Sequence, residues 1–303
     1  MAPLATSAAD CMPELRRRGT RAPAKVNLTL RIAGRRKDGL HELDSLVVFS
    51  DIVDELSLDP ARPRGMEVHG PLRAECGPSA DNLVLKAAAA LAARVYDLKI
   101  GHFSLIKRIP VAAGLGGGSS DAAAALRLLA EANSVSLDDP RLQDAARATG
   151  ADVPVCLDPR PRIMRGAGEQ LSAPFQLPPL AAVLVNPGVA LPTRDVFGAF
   201  DKSNTARPSL AGAPSFTARG ELIAFLQAQP NDLEAAAISL RPVIGDVLSA
   251  LHDIPSCKLA RMSGSGATCF GLFEDRDAAS AAAQHLRAKH HGWWVEETSL
   301  GAG

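Results

Sequence analysis

Polar and apolar residues alternate without a break through Lys25-Val26-Asn27-Leu28-Thr29-Leu30-Arg31-Ile32. A period of two marks a half-buried strand, with Val26, Leu28, Leu30 and Ile32 on the core face and Lys25, Asn27, Thr29 and Arg31 on the other. Further apolar runs predict strands at 43–49, 53–58, 66–69, 103–109, 181–185, 259–262, 269–273 and 293–296. Ala- and Leu-rich stretches predict helices at 82–96, capped by Asp81, and at 122–132, 139–148, 193–200, 217–227, 232–239, 242–252 and 277–289. The runs 153–157 and 162–165 are too short for their period to decide between elements. Hairpin-like groups of strands with unevenly spaced helices predict an α+β chain rather than a doubly wound parallel sheet.

Between the strand at 103–109 and the helix at 122–132 lies Pro110-Val111-Ala112-Ala113-Gly114-Leu115-Gly116-Gly117-Gly118-Ser119-Ser120-Asp121. Gly116, Gly117 and Gly118 can take positive φ and turn their N–H groups inward around an anion. The helix that follows points its unpaired N–H groups and positive dipole end at the same spot. Ser119 and Ser120 add hydroxyl donors for a phosphate or its bound metal. There is no Gly-Lys-Ser/Thr, so this is not a Walker loop. Counted from Gly114, Ser119 takes the third glycine position of a dinucleotide fingerprint, so that pattern fails too. The competing reading is a flexible linker, but linkers do not usually sit between a strand and a strong helix.

Composition narrows the class. A chain of 303 residues has room for two modest domains or one large one, and 47% hydrophobic content supports an ordinary core. Lys+Arg and Asp+Glu balance at 33 each, against a nucleic-acid binder that relies on a basic surface. The five cysteines form no CxxC pair and the histidines no ligand spacing, which predicts reduced thiols, a cytoplasmic location and no zinc site. No run reaches the length of a membrane span, so no membrane partner is expected. Residues 1–20 read as a frayed tail, because Asp10 and Glu14 interrupt them and no apolar segment follows Arg16-Arg17-Arg18.

Two residues stand out for chemistry. Lys25 lies beside Asn27 on the polar face of the first strand, where an ordinary edge lysine would also sit. Asp152, in Gly150-Ala151-Asp152-Val153-Pro154, has the setting of a turn or N-cap aspartate. Phosphoryl transfer to an alcohol gives both a sharper reading. A carboxylate accepts the hydroxyl proton, and a nearby lysine keeps it ionised and offsets transition-state charge. A second loop, Met262-Ser263-Gly264-Ser265-Gly266-Ala267-Thr268, reads as a strand-connecting turn or as further backbone donors at the transfer centre.

The run from Ile109 to Ala123 resembles the ATP loop of the GHMP kinases, the superfamily of galactokinase, homoserine kinase, mevalonate kinase and phosphomevalonate kinase. Ala22-Pro23-Ala24-Lys25-Val26-Asn27-Leu28, Asp38-Gly39-Leu40-His41-Glu42-Leu43, Asp81-Asn82-Leu83, Gly150-Ala151-Asp152-Val153-Pro154, Asn186-Pro187-Gly188 with Pro192-Thr193, Asn231-Asp232-Leu233-Glu234 and 262–270 complete the series. In that order they resemble one branch, the kinases that act on a cytidine-diphosphate-linked methylerythritol in the non-mevalonate isoprenoid pathway. The likeness covers about residues 21 to 298.

That resemblance implies the two-domain α+β GHMP fold with the active site in the cleft between domains; the Pro/Arg-rich joint Asp158-Pro159-Arg160-Pro161-Arg162 places the boundary, giving an ATP-binding domain at 21–160 and a C-terminal domain at 161–303. It implies Lys25 and Asp152 as the catalytic pair and 110–120 as the ATP loop, with Asn82 and Lys107 on the adenosine side. Asn27, His41, Thr193 and Phe197 match positions lining the cytidine and erythritol side. ATP with Mg2+ is the implied co-substrate pair, and the implied reaction phosphorylates the 2-hydroxyl of the acceptor. Leu40 stands where this branch usually has a tyrosine that stacks on cytosine opposite a phenylalanine. Two other readings stay open at this point: a GHMP kinase of homoserine or mevalonate type, and a nucleotide-binding protein without catalysis.

Overall fold

The computed structural model describes residues 18–78, 81–201 and 215–301. The eleven strands among these residues join into one hydrogen-bonded network around β3 (His41–Asp59). β1 (Arg18–Asn27), β2 (Arg31–Arg35), β5 (His102–Ile106) and β6 (Arg162–Gly166) all pair antiparallel with β3. β4 (Gly65–His69) adds parallel to β5, and the short β7 (Gln170–Leu171) adds antiparallel to β6. The C-terminal half is an antiparallel set, β8 (Leu180–Asn186) flanked by β10 (Cys269–Phe273) and β11 (Trp294–Leu300), with β9 (Cys257–Met262) outside β10. β11 reaches β3 through the Leu300–Ser50 pair and so joins the two halves.

Each half buries a helical layer. α1 (Leu83–Ala92), α2 (Gly117–Ala132), α3 (Pro140–Thr149) and α4 (Val153–Leu157) pack with β1, β3 and β5 around Phe103, Leu105, Leu126 and Leu129. α5 (Thr193–Phe200), α7 (Glu234–Leu240), α8 (Val243–His252) and α9 (Arg276–Lys289) cover the C-terminal strands around Val183, Val185, Val247 and Phe273. A third core lies between, where Val26, Leu28, Leu46 and Val48 meet Leu184, Phe270 and α6 (Arg219–Gln227). Fully burying each such aliphatic chain contributes about 1.5–3 kcal/mol, so this middle cluster is what holds the halves together.

Several expected elements change for physical reasons. The strand expected over 25–32 breaks at Leu28–Leu30. There Leu30 donates to the Pro230 carbonyl and Asp232 donates back to Leu30, tying the chain to the other half. Its polar face is not solvated, because Lys25, Asn27 and Thr29 are all buried under the loops above them. The strands expected at 43–49 and 53–58 are one strand, which runs through an irregularity opposite Pro23–Lys25, with Ser50 pairing to Leu300 of β11. The undecided run 153–157 is helix α4, and 162–165 is strand β6. The expected boundary at 160–161 falls between them, with β6 paired to β3. Residues 1–17 of the expected tail lie outside the described residues, while Arg18 already starts β1.

Candidate active site

β1 carries Lys25 and Asn27 to the meeting point of the two halves. The Lys25 amide donates to the Leu115 carbonyl at 2.8 Å, and its Nζ donates to Asn27 Oδ1 at 3.0 Å. The same ammonium pairs with Asp152 Oδ2 at 3.2 Å. Lys25 is 4% exposed, so it is no ordinary edge lysine. Asp152 takes the N-cap position of α4 but accepts no capping bond there. Its carboxylate turns to Lys25 instead, and the side chain remains about one-third exposed (36%), open to an incoming hydroxyl. The Cys156 thiol on α4 is pushed up to about 12, first by burial and then by the Asp152 charge, so it stays protonated and inert.

The glycine loop closes over this pair. Gly114 (φ 76°) and Gly116 (φ 60°) occupy left-handed conformations, and Ala112 joins them at φ 51°. A Cβ on Gly116 would lie 3.0 Å from Lys25 Cε, so the loop rests on the lysine stem. Helix α2 begins at Gly117, five residues before the predicted start, and its open N-terminal turn faces the loop. Gly117 and Gly118 are therefore helical and do not take the positive φ expected of them. Gly117 is small for another reason: a Cβ there would meet Ile109 Cγ2 at 2.9 Å and Lys107 Nζ at 3.2 Å.

Two expected ATP contacts are placed differently, and a third, Asn82, takes a capping role where it stands. The Ser120 hydroxyl is fully buried and donates to the Pro23 carbonyl at 2.7 Å, tying α2 to β1 rather than facing a phosphate. Lys107 is 2% exposed, and its ammonium is engaged by Asp54 at 2.5 Å and Asp121 at 2.8 Å. Asn82, not Asp81, caps α1, with Oδ1 accepting from the Val84 amide at 3.0 Å. A Cβ on Gly118 would lie 3.3 Å from Leu83 Cδ1, so Asn82 still sits beside the start of α2. Ser119 is half-buried on the first turn of α2, and Val111 is exposed at the loop tip.

The second loop is a clamp. Ser263 Oγ accepts from the Asn27 amide at 3.1 Å and donates to the Gly114 carbonyl at 3.0 Å. The Thr268 amide donates to the Ala113 carbonyl at 3.1 Å. Asn231 Nδ2 holds the carbonyls of Met262 and Gly264, both at 2.8 Å. Thr193 Oγ1 lies 2.9 Å from Ser265 Oγ, which brings α5 to the same loop. Farther along the cleft His41 stacks on Phe197, with ring centroids 4.6 Å apart and planes 26° apart. His41 Nε2 is 2.6 Å from Asp201 Oδ1, and Leu40 is 52% exposed.

The GHMP kinases N terminal domain family matches residues 82–158, and the GHMP kinases C terminal family matches 209–292. A 4-diphosphocytidyl-2-C-methyl-D-erythritol kinase of Methylobacterium radiotolerans is 58% identical over 286 residues, spanning 92% of this chain and 98% of that protein. This chain belongs to that kinase family. A Xanthobacter autotrophicus member is 55% identical over the same shares of both chains. The crystal structure of a 4-(cytidine 5'-diphospho)-2C-methyl-D-erythritol kinase superposes with a TM-score of 0.73 at 34% identity, covering 94% of this chain and all of that one. Homoserine kinase from Cytophaga hutchinsonii shares the fold alone, at 17% identity and a TM-score of 0.64 over 97% of each chain.

Four residues that hold this arrangement were not singled out from the sequence: Asp54, Asp121, Asp201 and Asn231. Asn231 lies in the Asn-Asp-Leu-Glu motif, a signal that marked the segment without its task. Asp121 directly follows the two serines of the loop. Asp54 and Asp201 carry no local signal, because their partners lie 53 and 160 residues away.

Proposed function

We infer that the chain is an ATP-dependent kinase that phosphorylates the 2-hydroxyl of 4-diphosphocytidyl-2-C-methyl-D-erythritol, giving the 2-phosphate and ADP. The observation that carries the chemistry is the Lys25–Asp152 pair at 3.2 Å, directly beneath a glycine loop that opens helix α2. The ATP phosphates lie along Pro110 to Ser119, where the loop amides and the α2 dipole meet their charge. Asn82 stands on the adenosine side. Asp152 takes the proton from the acceptor hydroxyl, and the freed oxygen attacks the γ-phosphorus. The bond to the β–γ bridging oxygen breaks and ADP leaves. The Lys25 ammonium keeps Asp152 ionised beforehand and offsets charge on the transferring group. Asn27 orients Lys25 through its Oδ1 and is itself held by Ser45 at 2.7 Å.

Among the described residues no group of three or more His, Cys, Asp or Glu side chains is arranged to hold a metal. That fits Mg2+, which keeps several waters and is bound by one or two protein oxygens together with substrate phosphates. The Ser119 hydroxyl and the Asp152 carboxylate would be its protein oxygen donors, and the ion would supply charge neutralisation to the transferring phosphates. Thr193, His41 and Phe197 form the acceptor side, with Phe197 presenting a π face to the cytosine. The described residues contain no helix long and apolar enough to cross a membrane, and their four cysteines are free thiols. Both support a cytoplasmic enzyme.

ADP release measured with the cytidyl substrate, homoserine and mevalonate as alternative acceptors tests the assignment. Turnover is expected with the cytidyl substrate alone. Comparable turnover with either of the others, or ATP binding with no turnover, overturns it.

A further inference from the structure

The phosphate loop leaves the sheet at Ile109 and enters helix α2 at Gly117, and one buried ionic cluster ties the two ends together. Asp54, fully buried on β3, accepts from the Arg108 amide at 2.6 Å and the Ile109 amide at 2.9 Å through Oδ1. Its Oδ2 holds Lys107 Nζ at 2.5 Å. Asp121, on the second turn of α2, holds the same ammonium at 2.8 Å. The Lys107 backbone is fixed as well, donating to His69 at 2.8 Å and accepting from Leu72 at 3.3 Å. The ammonium lies directly behind Gly117, 3.2 Å from where its Cβ would stand.

We propose that Lys107, held between Asp54 and Asp121, is a positioning residue for the donor phosphates: a buried cation that fixes the first turn of α2 and offsets the two carboxylates behind the loop. A salt bridge kept only for stability gains little when sealed in a core, because desolvating the ions offsets their attraction. A cation directly behind the loop amides keeps the two carboxylates from opposing the potential that the helix terminus presents to an anion.

Lys107 is one cation facing two carboxylates, and Asp121 Oδ1 is sealed from solvent with no donor to satisfy it. The facing side of α1 is apolar, with Val84, Ala87, Ala88 and Leu91, and offers the carboxylates no second cation. Without the ammonium, both carboxylates would stand unopposed behind the loop.

This inference rests on the loop being the ATP phosphate site, and the test separates the two. ADP and adenosine affinities are measured by titration calorimetry or competition on the full-length chain and three variants. Ser119→Glu, which puts a carboxylate on the first turn of α2, is expected to abolish ADP binding; if it does not, the loop assignment itself fails. Lys107→Met is expected to raise the ADP Kd about tenfold or more while leaving adenosine within twofold. An unchanged ADP Kd, or a parallel loss of adenosine, overturns the proposal in favour of a passive or adenosine-contacting lysine. Asp121→Asn keeps an acceptor for Lys107 and removes one carboxylate from behind the loop. Its ADP Kd is expected to fall severalfold with adenosine unchanged. An ADP Kd that is unchanged or higher overturns the electrostatic part of the proposal, and this variant remains readable if Lys107→Met does not fold.

Discussion

On the phosphate-loop side of the cleft, a Cβ at Gly114, Gly116 or Gly117 would meet its neighbours at 2.6, 3.0 and 2.9 Å, each of them backbone or a buried side chain. On the acceptor side, Thr193 and Leu40 are exposed, Phe197 is half-buried, and the glycine at 198 has nothing within 4 Å. The side proposed for the donor is made of backbone locked by buried hydrogen bonds; the side proposed for the acceptor is made of side chains on α5 and on the turn between β2 and β3. A backbone site tolerates few substitutions and offers the same contacts to any nucleoside triphosphate. A side-chain site can be retuned one residue at a time, which is where members of a superfamily sharing one loop can diverge in substrate.

The largest expected effect lies between the two sides. Asp152→Asn keeps the size and most hydrogen bonding but removes the proton acceptor, so kcat should fall on the order of 10² or more with ATP affinity nearly unchanged. Steady-state kinetics with both substrates checks it, and near-normal kcat takes Asp152 out of the mechanism. Next is Gly117→Val, which forces a branched side chain against Ile109 and Lys107. In a folded variant the ATP KM should rise by about tenfold or more while the cytidyl KM holds, because overpacking displaces the loop and not α5. Equal loss of both substrates would erase the distinction between the sides.

The acceptor side should show smaller, one-sided effects. Phe197→Ala removes an aromatic face and its buried area, for a rise in cytidyl KM of about tenfold with ATP unaffected. An unchanged cytidyl KM would mean that the base binds elsewhere. Asp201→Ala frees the His41 ring held at 2.6 Å, and a hydrogen bond of about 1 kcal/mol corresponds to a rise of about fivefold in the same KM. Leu40→Tyr should lower that KM by about two- to threefold, at the lower end of what an aromatic contact gives. The gain is small because His41 already stacks on Phe197 at 4.6 Å and supplies a ring where Leu40 does not. A loss on installing tyrosine would show that Leu40 fits a pocket narrowed by His41.

Much of this was legible in the chain. Helix α5 and strand β10 occupy the predicted residues, because each is bounded by its own turn signals and carries one clear period. The loop between β5 and α2 was legible through its glycines and the helix after it. What misled was local reasoning about exposure and capping. Alternation assigned Lys25 and Asn27 to a polar face, yet a strand covered on both sides buries both sets. Asp152 had the position of an N-cap, yet the nearby ammonium takes its carboxylate instead.

The sequence by itself determined most of the elements, the glycine-rich loop that opens helix α2 and the presence of a lysine and an aspartate of the kind phosphoryl transfer uses, since these follow from periodicity, backbone freedom and side-chain chemistry within short windows. Tertiary structure decided which way each polar group faces. It turned Ser120 to Pro23, withdrew Lys107 into a cluster with Asp54 and Asp121, joined Asn27 to Ser263 across 236 residues and set His41 against Phe197 and Asp201. Each of those contacts is made between elements that meet only when the chain packs around its shared cores. A charged or polar side chain buried there must take whichever partner the packing brings, because leaving it unpaired costs more than any local preference for solvent or helix end can return.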